Sequence, residues 1–104
     1  MIRNMTKKTI IFLDKDNNVI HKIDPCGETV IEGHTIGKGF KDGIPTKTIR
    51  EIYRTVEMDP GIIYLVPMRV LRAFPGRNDF YTPMDEVKNS DGEIIGYRCI
   101  GRYI

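Results

Sequence analysis

The sequence predicts a mainly β fold of the β-rich α+β kind: a small antiparallel or mixed sheet with one short helix near residues 67–74, forming a single domain over residues 1–104. Three observations lead there. Short β-branched and aromatic runs recur along the chain, as in Thr9-Ile10-Ile11-Phe12-Leu13 and Ile62-Ile63-Tyr64-Leu65-Val66. Clusters of turn formers separate them, among them Asp14-Lys15-Asp16-Asn17-Asn18, Asp59-Pro60-Gly61 and Asp91-Gly92. Helical apolar spacing lasts for two turns only, through Met68, Val70, Leu71 and Phe74, between Pro67 and Pro75-Gly76. A length of 104 residues suits one modest core, and 40% hydrophobic with 29% charged residues is the composition of a chain that folds.

Taken in order, Thr9–Leu13 and Val19–Ile23 flank the 14–18 turn cluster and read as a hairpin. Asp14, Asp16 and Asn18 also imitate the start of a calcium loop, but the sixth position is Val19, and no Glu stands at the twelfth. Residues 28–36 alternate as a strand, with Val30, Glu32 and His34 on one side and Thr29, Ile31 and Gly33 on the other. Gly37 to Gly43 then reads as a solvated hairpin loop, because it lacks both the Rossmann spacing and the Gly-Lys-Ser/Thr ending of a phosphate loop. Residues 44–58 mix helical spacing with strand-forming residues, and β-propensity favours strand. Ile62–Val66 is the most apolar run and is expected as a doubly buried strand. Asp91-Gly92 turns the chain into a C-terminal strand over residues 93–104.

The formal net charge of +2 is too small for a protein that neutralises a duplex backbone, so no duplex nucleic acid is expected as partner. No run of eighteen apolar residues or leader-like segment occurs, which points to the cytoplasm and away from membranes. Asn4-Met5-Thr6 spells a glycosylation acceptor, a chance match without a secretory route. Cys26 and Cys99 lie far apart with no C-x-x-C, which leaves reduced, packed thiols as the expectation. His21 and His34 stand isolated, and Ser90 has no nucleophile elbow around it. Neither catalytic residues, nor a metal, nor a cofactor are expected, and the chain reads as a non-enzyme.

What chemistry there is concentrates after the buried strand. Arg69, Arg72 and Arg77 fall within nine residues with no lysine among them, which suits planar, bidentate contacts to phosphate. The predicted helix start at Pro67 to Arg69 adds free N–H groups. Asn78 and Tyr81 beside Arg77 offer hydrogen bonds and stacking for a base. On the last strand Arg98 and Arg102 share a face about 13 Å apart at roughly 3.3 Å per residue, near the span of a dinucleotide, with Tyr97 on the other face. The structural alternative is a solvated face for the arginines of both groups and a core position for Tyr81.

Asn4-Met5-Thr6, Asp42-Gly43-Ile44-Pro45, Gly61 to Val66, Gly76-Arg77-Asn78-Asp79, Pro83 and Asp91 to Gly96 occur in that order. Together they resemble the pattern of a family of small phage and prophage proteins. Met5 and Met68 differ from its commoner residues, and Asn78 replaces a frequent acidic one. Small phage proteins without catalytic groups are similar to viral sponges that sequester nucleotide immune signals. The resemblance therefore implies an anti-defence protein of the host bacterial cytoplasm that binds a cyclic dinucleotide or cyclic ADP-ribose type of signal without cleaving it. Among the residues above, Arg77, which follows the rigid-then-permissive Pro75-Gly76 pair, and Arg102 are expected to hold phosphate, and Tyr81 or Tyr97 the base. A chain of this size is also expected to form a homo-oligomer, since one copy offers few walls for a nucleotide. Two rivals stay open: a protein-binding or structural module, and a small nucleotide-processing enzyme using Asp79, Asp85 or Glu86.

Overall fold

The computed structural model describes residues 1–27 and 30–104. Among these residues the elements are β1 (Ile2–Asn4), β2 (Ile10–Leu13), β3 (Val19–Ile23), β4 (Val30–Lys41), β5 (Ile44–Arg54), β6 (Ile63–Leu65), α1 (Met68–Ala73), β7 (Phe80–Lys88) and β8 (Ile94–Gly101). The fold is β-rich with one short helix, as the sequence predicts. Glu28 and Thr29, expected at the start of the fourth strand, lie outside the described residues.

Six strands form one mixed sheet in the order β1-β6-β7-β8-β2-β3. β6 runs parallel to both β1 and β7, while β7–β8 and β2–β3 are antiparallel hairpins. Past β3, Pro25 bridges back to Asn4 of β1, and the Cys26 N–H donates to the Asn4 carbonyl at 3.0 Å, so the sheet nearly closes on itself. β6 is packed from both sides. Leu65 joins Ile10 and Phe12 in one cluster, whereas Tyr64 and Val66 point the other way to Met5, Val70, Leu71 and Phe80. The alternation of a strand thus divides one apolar run between two cores, with α1 covering the second.

Asn4 fills the seam where the sheet closes. It is fully buried, and its Nδ2 donates to the carbonyls of Lys8 (2.8 Å) and Ile23 (2.9 Å). Its Oδ1 accepts from the Thr6 N–H at 2.9 Å and the Thr6 hydroxyl at 2.6 Å. The Asn-x-Thr spacing is therefore a folding device, which supplies side-chain partners where the ladder has none.

Both hairpins of the sheet turn in the same way. The Asp14 carboxylate accepts from the N–H groups of Asp16 and Asn18, and the Asn89 amide oxygen accepts from those of Asp91 and Glu93. The fourth residue, Asn17 or Gly92, takes a left-handed φ of 63° or 80°. The calcium-like spacing of the first turn is thereby accounted for by its own backbone bonds.

β4 and β5 stand apart as a two-stranded arm, paired in register from Val30↔Arg54 to Lys41↔Ile44. The Gly-rich segment expected as a loop is strand through Lys41, and the turn is only Asp42-Gly43. Both turn residues have positive φ, 48° and 78°, the requirement of a tight two-residue hairpin turn. Residues 44–54 are strand, resolving the mixed pattern there. The arm is rooted by Tyr53, whose ring meets Phe74 edge-on at 6.0 Å, followed by Phe80 at 5.9 Å. The cysteines differ from expectation: Cys26 and Cys99 are free but exposed, Cys26 in the connection that follows β3 and Cys99 on β8, where its thiol donates to the Asp85 carboxylate at 3.3 Å.

Candidate functional site

An open groove of about 970 Å³ is bounded by the β1–β2 connection, the start of α1, β7–β8 and the root of the arm. Its cations are Lys7, Lys8 and Arg69; its carboxylates are Glu51 and Glu86; Tyr97 supplies an aromatic wall. The geometry follows from elements already described. Asn4 grips the Lys8 carbonyl and the Thr6 N–H, so the backbone carrying the two lysines is pinned while their side chains remain exposed. Arg69 comes from the first turn of α1 and lies 3.7 Å from Glu51 of the arm. Glu51 also accepts the Tyr53 hydroxyl at 2.6 Å, which raises the phenol's pKa above its ordinary value. Lys7 and Lys8 have no acidic partner among the described residues. α1 itself has six residues, so side chains rather than a helix end provide the groove's positive charge.

A second group gathers around the end of β8. Arg77 forks onto Asp79 through Nε (2.8 Å) and Nη2 (2.9 Å), and its Nη1 donates to the Val56 carbonyl at 2.8 Å. Its guanidinium also stacks 4.0 Å above the Phe80 ring. Hydrogen bonding to Arg77 holds the Asp79 carboxyl below the usual carboxylate range against the opposing effect of burial, and the same bond raises Arg77. Arg102 reaches the Arg77 carbonyl at 3.4 Å and lies 5.7 Å from Tyr81, while Arg72 lies 5.8 Å from Tyr103. Asn78 is exposed beside them.

The eight residues singled out from the sequence therefore separate. Arg69 and Tyr97 line the groove; Arg72, Arg77, Asn78, Tyr81 and Arg102 do not. Arg98 is engaged away from the groove, since its guanidinium clamps the first turn at the Asp14 carbonyl and at Asn17 Oδ1 (2.7 Å). No protein-family model, curated protein or solved structure matches the chain. Lys7 and Lys8 were legible as a cationic pair directly after Asn-x-Thr, yet their position depends on the long-range pairing of β2 with β8, which no local pattern announces. Among the described residues, no group of three His, Cys, Asp or Glu side chains is placed to hold a metal ion.

Proposed function

We propose that this chain is a binding protein that holds a phosphate-bearing nucleotide of about dinucleotide size in the groove and releases it chemically unchanged. The observation that carries this reading is the meeting of Lys7 and Lys8, which have no acidic partner among the described residues, with Arg69 and the Tyr97 ring around one concavity of about 970 Å³. That volume lies at the upper end of the roughly 300–1,000 Å³ of small-molecule sites. In this reading Lys7 and Lys8 take the phosphates, Arg69 supports them by exchanging Glu51 for the ligand, and Tyr97 stacks on a base. Arg77 and Arg102 serve the scaffold, which replaces the assignment drawn from the motif alone. The finer reading is a phage-encoded sponge for a cyclic nucleotide immune signal in the bacterial cytoplasm, supported by the motif resemblance.

Binding without turnover is also supported by the state of Asp79. Asp79 lies outside the groove, and a carboxyl held below the usual range by a forked arginine is a weak proton acceptor, so this one of the three acids open to a nucleotide-processing enzyme is poorly matched to that task. The exposed arm favours a second reading, a protein-binding module.

Heating purified protein and analysing the released small molecules separates these readings. Intact nucleotide supports the proposal, converted nucleotide supports an enzyme, and its absence, together with no calorimetric binding tighter than about 10 μM across cyclic dinucleotides, cyclic trinucleotides and cyclic ADP-ribose isomers, favours the module. Charge reversal at Lys7 and Lys8 is expected to weaken binding at least tenfold, from the roughly 1.5–3 kcal/mol of a charge-assisted bond.

A further inference from the structure

We propose that the β4–β5 arm is a self-association device, whose basic, apolar outer half docks on the acidic β7–β8 hairpin of a second copy. The arm's first peculiarity is its shape. The radius of gyration is 17.2 Å, against about 13 Å for a compact chain of 100 residues. The accessible surface of 7562 Å² likewise exceeds the roughly 6,000 Å² of a folded 12.0 kDa monomer by about 1,500 Å². The excess is enough for each copy to contribute the roughly 800 Å² of a standard interface.

The chemistry of the outer half specifies the occupant. Lys38 and Lys47 stand directly opposite each other in the ladder, and neither has an acidic partner among the described residues. Like charges so placed repel, and an acidic surface relieves the repulsion. Phe40 shares their face and is 76% exposed, as does Ile49 at 48%. Apolar side chains flanking the lysine pair fit a protein surface better than a phosphate backbone, which offers them nothing to pack against. A surface with complementary features occurs in the same chain. The β7–β8 hairpin carries Asp85, Glu86, Asp91 and Glu93 against Lys88 and Arg98, the latter engaged with the first turn, and beside these acids Ile94 and Ile95 are exposed. An arm from each copy on the hairpin of the other gives a closed two-fold dimer, the self-complementary arrangement in which every contact occurs twice.

Sedimentation velocity on the full chain, at rising concentration and in two salt concentrations, tests this directly. The expected result is a concentration-dependent dimer whose dissociation constant rises several-fold with salt. Two variants give the decisive arm: K38E/K47E on the arm, and D91K/E93K on the hairpin. Each alone is expected to dissociate at least tenfold more readily, because arm and hairpin then carry the same sign. Mixing the two variants restores opposite signs at both contacts and is expected to restore the dimer. A wild-type chain that stays monomeric at 100 μM or so overturns the proposal and leaves the arm to a different partner. Unchanged association in the variants, or no restoration on mixing, overturns it equally, and circular dichroism of each variant confirms that folded chains are being compared.

Discussion

Asn4 and Arg77 occupy equivalent positions in the logic of the fold: each is a polar side chain that satisfies backbone groups no ladder reaches. Asn4→Ala leaves the Lys8 and Ile23 carbonyls and the Thr6 N–H without their partner. At about 1–3 kcal/mol for a buried unsatisfied group, the loss is expected to be at least about 2 kcal/mol, measured by urea denaturation. Asn4→Asp keeps the acceptor but loses both donated bonds, so it is expected to be no rescue. For Arg77, 19% exposed, truncation strands the Asp79 carboxylate and frees the Val56 carbonyl that ties the arm's exit to the core. Arg77→Ala is expected to cost roughly 3 kcal/mol or more, and Arg77→Lys recovers only part because one ammonium cannot reproduce the fork. The pH dependence has a definite sign. Asp79 has its folded pKa depressed, so its stabilisation is fully present above about pH 4, the unfolded carboxylate range, and is lost as pH falls through the lower folded value. The Arg77→Ala variant is expected to lose this acid-dependent component, and thermal melts between pH 2 and pH 7 compare the two chains.

At the scale of elements, the sheet depends on close approach at β8. A Cβ added to Gly96 would lie 2.9 Å from the Ile11 carbonyl oxygen and 2.8 Å from the Leu13 side chain, and the backbone oxygen cannot rotate away. At Gly101 the obstacle is the flexible side chain of Met84. Gly96→Ala is therefore expected to lose about 1–3 kcal/mol, and Gly101→Ala clearly less, by the same denaturation measurement. The hairpins and the short helix were legible because their signals are local: the turn clusters at 14–18 and 91–92, and the apolar stripe bounded by prolines at 67 and 75. The extent of β4 was not. Gly37 and Gly39 lower strand propensity, and only the Asp42-Gly43 pair marks where the chain turns. The arginine cluster misled for a related reason. Spacing shows that Arg77 lies near Asp79, but not that the two close a fork over Phe80, nor that Arg98 reaches back 84 residues to the first turn.

For the whole molecule, the groove and the arm meet at Glu51 and Gly33, so ligand binding and association share a wall. Pairing of β2 with β8 brings the 5–11 segment against β8, and rooting the arm through Tyr53 and Phe74 completes the concavity. Lys7 and Lys8 enter the site on the β1–β2 connection that leads into this pairing. The central claim, that the groove is the ligand site, is tested most directly by amide NMR of the 15N-labelled protein titrated with the tightest-binding member of the cyclic nucleotide panel. The expected result is a set of saturable shifts centred on residues 5–11, 66–69 and 94–97, with the Arg77 and Arg102 region little changed. Shifts centred instead on Arg77, Asn78 and Arg102, or none with any member of the panel at concentrations well above about 10 μM, would contradict it.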